Sequence, residues 1–236
     1  MDSTNTVPNK VLVNSKLPAS SFRIGQISGG PPRGAWTTTN WLPIIVKSSV
    51  SLGALPEAKG FVSWIPPHAI SNAILDVAFA EEEPPIAVNL VHPRSIAWRT
   101  LIQPVGDALV ERKVTSYSVP LVVPGVARKA RIECQELERR DHEAHHTCIS
   151  IAGQNVFPSN LQLQPGIKLL NFMRSMARSD IAIRASGEMG SEAGGVTSFA
   201  TAVAEHVSPT MKELKSLSSA DATQWVDYWV AMGMFQ

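Results

Sequence analysis

Two places in this chain carry residue types and spacings that could do chemistry. The first is Phe22-Arg23-Ile24-Gly25-Gln26-Ile27-Ser28-Gly29-Gly30, continuing through Pro31-Pro32-Arg33-Gly34-Ala35 to Trp36. It reads as a short buried strand that opens into a Gly/Pro-rich loop and then a helix start. Open α/β sheets bind ligands at such turns, outside the carboxyl ends of their strands. Arg23 either reaches a ligand there or pairs with a carboxylate of the sheet. Gly25 and Gly29 either admit a cofactor close to the backbone or serve the turn alone. The second place is His142-Glu143-Ala144-His145-His146, which matches the zincin pattern HExxH. On a helix His142 and His146 would share a face and hold zinc, with Glu143 as base. Its surroundings argue against that use. Glu133 to Asp141 is almost uniformly solvated in character, apolar flanks are lacking, and Ile149 stands where the metzincin continuation needs glycine. The bland reading is a charged helix end, a zinc hydrolase is a distant alternative, and no metal ligand is assigned.

The elements that must position the first site follow in order. Ala19 to Ile27 is a strand. Thr37, Thr38 or Thr39 caps a helix with Trp41, Ile45, Ser49 and Leu52 on its inner face, and Gly53 stops it. Gly60 to Pro67 is extended, and a helix runs from His68 to about Ala80. Ile86 to Val91 is a continuous apolar run, as in a strand buried on both faces. A further helix runs from Ser95 or Ala97 to about Val110, with Pro104 expected to kink or end it. Val119 to Val123 is one more strand. This alternation predicts α/β with a largely parallel but small sheet, at least one edge of which needs a partner. Beyond it, Ala127 to Arg140 is charged and helical in pattern, and Asp141 to Gln164 is irregular. Ile167 to Ala177 forms an amphipathic helix. Ser186 to Ser198, with four glycines, reads as a mobile loop. Ser208-Pro209 starts a helix. Ser218 or Ser219 caps the last, whose stripe is Trp225, Tyr228, Trp229 and Met232.

Composition bounds the partners. The 236 residues carry 21 Lys plus Arg against 20 Asp plus Glu, a formal charge of +1. That balance speaks against nucleic acid or an anionic membrane as partner. No run approaches a membrane span and the N-terminus lacks a signal-peptide pattern. Two cysteines, Cys134 and Cys148, make no disulfide framework, so a reduced, cytoplasmic protein is expected.

Arg23-Ile24-Gly25-Gln26-Ile27-Ser28-Gly29, Gly34-Ala35-Trp36 and Trp41-Leu42-Pro43 together resemble the C-terminal thioester reductase domains of fungal nonribosomal-peptide-synthetase-like and aminoadipate-reductase-like enzymes. These are extended short-chain dehydrogenase/reductases. Further segments match in the same order. They are Leu52 to Pro56, Val62 to Pro66 with Ala73 to Asp76, Val88 to Pro93 with Ala97-Trp98, Gly166 to Phe172, Ser208 to Thr210 and Trp225 to Trp229. The resemblance implies reduction of an acyl thioester, held on a carrier-protein phosphopantetheine arm, by hydride from NADPH. A Tyr hydroxyl donates the proton and a nearby Lys lowers its pKa. It implies cofactor contacts at Arg23, Ile24, Gly25, Gln26 and Ile27, and acyl contacts at Trp36, Trp41, Trp64 and Ile65. Core packing is the competing reading for Trp36 and Trp64, and the favoured one for Trp98, Trp225 and Trp229.

The family's glycine-rich dinucleotide turn is not in this sequence, and neither is its Tyr-x-x-x-Lys, which would fall near Met1 and Asn5. No catalytic residue is therefore assigned. The expectation is the C-terminal portion of a Rossmann-like extended short-chain dehydrogenase fold with a helical cap. Residues 1–126 would be a partial α/β domain without the nucleotide-binding half, and 127–236 a mainly helical substrate region. Alone, such a chain should not bind NADPH well or reduce a thioester. Its partners would be a carrier-tethered acyl thioester or the N-terminal half. A stand-alone, non-catalytic module that docks a carrier protein or a reductase is the alternative.

Overall fold

A computed structural model describes residue 14 and residues 18–123, 170–187, 190–195 and 198–236. Strand β1 is Ser21–Ile24, and helix α1, Trp41–Leu52, follows the loop. Strands β2, Leu55–Pro56, and β3, Phe61–Val62, lead to α2, Pro67–Ala78. Then come β4, Ala87–Leu90; β5, Ile96–Ala97; α3, Trp98–Glu111; and β6, Leu121–Val122. The C-terminal part holds α4, Leu170–Ser186; α5, Ala202–Val207; α6, Pro209–Glu213; and α7, Ser219–Ala231.

The strands do not form one sheet. β1 pairs in parallel with β4, β2 in parallel with β6, and β3 antiparallel with β5, as three separate two-stranded ladders. Among the described residues the small, largely parallel sheet that was expected is divided into these short ladders, two of them parallel. Other expectations shift too. Asn40, not a threonine, caps α1 through its side chain, which accepts from Trp41 N–H at 2.8 Å. The inner face of α1 is Leu42, Ile45, Val46 and Ser49, whereas Leu52 is 71% exposed. Pro104 does not end α3, which runs on to Glu111. A proline inside a helix costs about 3 kcal/mol. Six buried apolar side chains on α3 offset that, from Trp98 and Leu101 through Ala108 and Leu109. The expected helix over Ala127 to Arg140, the irregular stretch after it and the first residues of the expected helix from Ile167 lie outside the described residues.

Two cores result. The larger joins α1, α3 and α7 around tryptophan, and α7 lies along α3. The smaller sits between the β1–β4 ladder and helices α2, α5 and α6. Asp76 on α2 ties the smaller core together. It accepts from the Ser208 hydroxyl at 2.6 Å and from Thr210 N–H at 3.0 Å, while Ser208 caps α6. Partial burial works to raise the Asp76 pKa, but these hydrogen bonds outweigh it and the net shift is downward.

All six tryptophans of the chain belong to the larger core. Trp36 contacts Trp64, Trp225 and Trp229 at centroid distances of 5.4, 4.9 and 6.0 Å. Trp64 and Trp41 each contact Trp98, at 5.8 and 6.3 Å. Trp225 and Trp229 are fully buried, and their indole N–H groups reach back across the chain to loop carbonyls. Trp225→Ala should therefore lower unfolding stability by about 3–5 kcal/mol. Trp225→Phe, which retains most of the ring packing, should cost about 1–2 kcal/mol for the lost hydrogen bond. Urea unfolding of the two variants beside the parent chain measures both.

Candidate functional site

The site begins where β1 ends. Gly25 N–H still bonds Leu90 O at 3.0 Å, and the chain then switches partner. Gln26 O accepts from Ile65 N–H at 2.9 Å, and Ser28 N–H donates to Ile65 O at 3.0 Å, so Ile27 lies beside Ile65 as a parallel bridge. Gly30 and Ala35 close the loop as an antiparallel bridge. Trp225 Nε1–H donates to Gly29 O at 3.1 Å, and Trp229 Nε1–H to Trp36 O at 3.0 Å. Both ends of the turn are thus held by one face of α7. A Cβ on Gly29 would come within 2.5 Å of the Trp225 ring, so this position has to be glycine for the helix to seat.

The residues expected to bind a cofactor divide into structural and accessible groups. At Gly25 an added Cβ would meet the Val91 side chain at 2.6 Å, so protein already fills that space. Trp225 fills the equivalent space at Gly29. Neither glycine leaves a cradle for a pyrophosphate. The Gly25–Gly34 loop that leads from β1 toward α1 does not carry the G-x-G-x-x-G spacing of a dinucleotide turn either. The described residues therefore do not fit a whole dinucleotide. Gln26 is committed as well: its Oε1 accepts from Trp41 Nε1–H at 2.6 Å and its Nε2 donates to Ile27 O at 2.7 Å. Ile24 and Ile27 remain accessible, 45% and 40% exposed. Arg23 is half-buried; its Nε has no partner, and it makes no ion pair with the described carboxylates.

The expected acyl wall is mostly interior. Trp36 and Trp64 are buried in the tryptophan core, and Ile65 is fully buried in the smaller one. Trp41 alone of the four stands at the rim, between Gln26, Trp64, Trp98 and the half-exposed Phe172. The accessible apolar side chains at and beside the loop are Ile24, Ile27, Phe172 and the part-buried Trp41, while Arg33 on the loop is exposed as well. A shallow cleft of about 260 Å³ lies elsewhere, against Glu57, Lys59, Trp98, Arg99 and Arg184, and includes no residue of the Phe22–Trp36 stretch.

Neither tyrosine hydroxyl has a hydrogen bond to the loop among the described residues. Tyr117 donates its hydroxyl to Val50 O at 3.2 Å, and Tyr228 packs against the larger core. His142, Glu143 and His146 lie outside the described residues, and no group of three His, Cys, Asp or Glu side chains among the described residues could hold a metal. His92, to which the sequence assigns no role, is structural. Its Nδ1 accepts from Arg94 N–H at 3.1 Å and its Nε2 faces Lys215 O at 3.0 Å. Burial, above all, pushes its pKa down and keeps the ring neutral. Arg94 donates to Lys212 O and Leu214 O, closing the end of α6.

One titratable group beside the site stands out. Ser191–Gly195, inside the stretch read as a mobile loop, docks on β3: Phe61 N–H donates to Ser191 O, and Ala193 N–H to Phe61 O. The Glu192 carboxylate enters with it and accepts from the Ser63 hydroxyl. Ser63 is the residue before Trp64, so this contact braces the wall. Burial pushes the Glu192 pKa from 4.5 up to about 7. A pKa raised by folding means the native state favours the neutral acid. That stabilisation is complete below about pH 4.5 and is lost as pH rises through 7. Glu192→Gln should therefore melt higher than the parent at pH 8 and show little difference near pH 5, as read by thermal melts across that range.

No family model matches the chain. Over 229 residues it is 45% identical to the adenylate-forming reductase Nps11 of Serpula lacrymans var. lacrymans (strain S7.9), taking in 97% of this chain and 19% of that protein. Nps10 of Heterobasidion annosum is 32% identical over 234 residues, 98% of this chain and 19% of that protein. The terminal R domain from the myxalamid PKS-NRPS biosynthetic pathway superposes with a TM-score of 0.56 at 16% identity, over 98% of this chain and 48% of that one. A thiolation-reductase di-domain from an archaeal non-ribosomal peptide synthetase gives 0.55 at 15% identity, over 98% and 39%. The fold is that of the C-terminal portion of a reductase domain of the extended short-chain dehydrogenase type, with an incomplete sheet and a helical cap. Within that class the chain is a homologue of the fungal adenylate-forming reductases, and it spans 19% of the length of the curated relatives it matches. The resemblance read from the Arg23–Trp36 stretch and the segments after it holds.

Proposed function

We propose that this chain is the substrate-side portion of an NADPH-dependent thioester reductase that works on acyl groups carried by a phosphopantetheine-bearing protein in the cytoplasm. The observation that carries this reading is the 45% identity across 97% of the chain, which includes the loop and all the helices packed on it. The physical support is the apolar surface of Ile24, Ile27, Trp41 and Phe172 beside a loop that α7 holds in place. An acyl group could lie on such a surface with its thioester at the carboxyl end of β1. The polar part of the reaction has to come from elsewhere, since Gly25 and Gly29 are filled by Val91 and Trp225 and leave no dinucleotide cradle. What the chain contributes is binding, orientation and exclusion of water. Its residues 1–126 serve as the partial α/β part and 127–236 as the substrate-side cap.

The test has two arms. The purified chain should show no NADPH binding by calorimetry at micromolar to submillimolar concentrations. Joined to the reductase segment that precedes the matched region in the Serpula relative, it should consume NADPH when given an acyl-loaded carrier protein. Micromolar NADPH binding by the chain alone would overturn the half-site reading. NADPH consumption by the joined protein that ignores the thioester would overturn the substrate assignment.

A further inference from the structure

The Ser191–Gly195 segment lies against β3 as a one-residue third strand. On one edge β3 pairs with β5. On the other, Phe61 N–H donates to Ser191 O at 3.1 Å and Phe61 O accepts from Ala193 N–H at 2.7 Å. Beyond Glu192 the chain turns, with Gly195 N–H donating to Glu192 O at 3.0 Å and Gly194 and Gly195 at φ of +83° and +72°. A side chain at either would strike Met176 or Ser179 of α4, so this end is seated on that helix. At Gly190 an added Cβ would meet nothing within 4 Å. The segment is thus anchored at one end, open at the other, and attached to β3 by two backbone hydrogen bonds and one side chain.

That side chain is Glu192. Its carboxylate enters beside β3 and accepts from the hydroxyl of the buried Ser63, whose own carbonyl accepts from His92 N–H at 2.9 Å. The titratable and charged groups on the elements around it are Lys59 before β3, His92 behind Ser63, and Arg174, Arg178, Asp180 and Arg184 on α4. Among the described residues none forms an ion pair with Glu192. Arg184 is paired with Asp180, and His92 is held neutral by burial. A carboxylate taken from water with no cation in its place is strongly disfavoured, whereas the neutral acid keeps its hydrogen bond to Ser63 and loses little. Burial accordingly raises the Glu192 pKa from 4.5 to about 7.

We infer that Ser191–Gly195 is a latch on β3, docked while the Glu192 carboxyl is protonated and released when it ionises. Release bares the edge of β3 at Phe61 and removes the brace from Ser63. Through Ser63 it reaches the loop, because Trp64 is next in the chain and Ile65 is bridged to Ile27. Ionisation costs the docked state and not the undocked one, so docking is strongest at low pH and weakens as pH rises through about 7. The latch does not depend on the reaction assigned to the chain.

Amide hydrogen exchange of the full chain at pH 5 and pH 8 tests this, each rate taken relative to the intrinsic rate at that pH. Protection of the Phe61 and Ala193 amides should fall at least about tenfold between the two conditions. At pH 8 it should lie at least about tenfold below that of the Ala108 amide, buried in α3, which marks the opening as local. Glu192→Gln should keep Phe61 and Ala193 equally protected at both pH values. Carbon-13 titration of the Glu192 carboxyl gives a readout free of any substitution, with a midpoint that matches the loss of protection. Protection that ignores pH in the parent would overturn the inference. So would the same fall in Glu192→Gln, or equal protection of Phe61 and Ala108 at pH 8, since then only whole-chain unfolding frees the segment. If Glu192→Gln failed to dock at pH 5, the carbon-13 midpoint would decide: near 7 it supports the latch, and in the ordinary carboxylate range it contradicts it.

Discussion

Two hydrogen bonds govern the arrangement of this molecule: the indole N–H of Trp225 to Gly29 O and that of Trp229 to Trp36 O. A buried indole without a partner is costly, and so is a buried carbonyl. Here each satisfies the other across a gap of more than 190 residues in sequence. The consequence is geometric. The turn between Gly29 and Trp36 cannot move without stripping both indoles, and α7 cannot leave without uncovering the tryptophan core. The loop that sequence places at the mouth of the site is therefore a fixed wall.

The same rigidity explains which residues are free to act. The tryptophans that could have formed an acyl pocket turn their surface on one another. Trp41 keeps an accessible edge because Gln26 takes its N–H at the rim, which ties the start of α1 to the end of β1. Gln26 is committed to that role. The glycines are committed too, Gly25 to Val91 and Gly29 to Trp225. Among the described residues, Ile24 and Ile27 stay exposed, and Arg23 Nε, Asn89 Oδ1 and the Trp36 indole N–H are buried without a partner.

Much of this is legible in the sequence, and the limits have physical causes. Periodicity locates α2, α3, α7 and the strand before the loop, since burial of one face imposes it. The Ser208-Pro209 and Ser218 starts are readable because capping is local, and the structure shows both, with Asp221 completing a capping box at Ser218. The family is legible through the order of many short segments. Partners across the chain are not. Nothing near Gly29 in sequence announces Trp225, and nothing near Ser63 announces Glu192. Asp76 looks like a surface acid because its partners, Ser208 and Thr210, lie more than 130 residues away. Pro104 misleads because local propensity takes no account of the tertiary burial that overrides it. Leu52 misleads because it keeps the phase of the inner face but is the last residue of α1 and stands 71% exposed.

The central claim is that the loop and α7 are one rigid unit pinned by two indoles. Hydrogen exchange of the six tryptophan side-chain N–H groups, resolved by nitrogen-15 spectra, tests it most directly. Trp225 and Trp229 should exchange only through global unfolding, at rates that follow the stability of the whole chain, and Trp41 at the rim should exchange faster. If Trp225 and Trp229 exchanged as freely as Trp41, the loop would not be pinned and the account would fail.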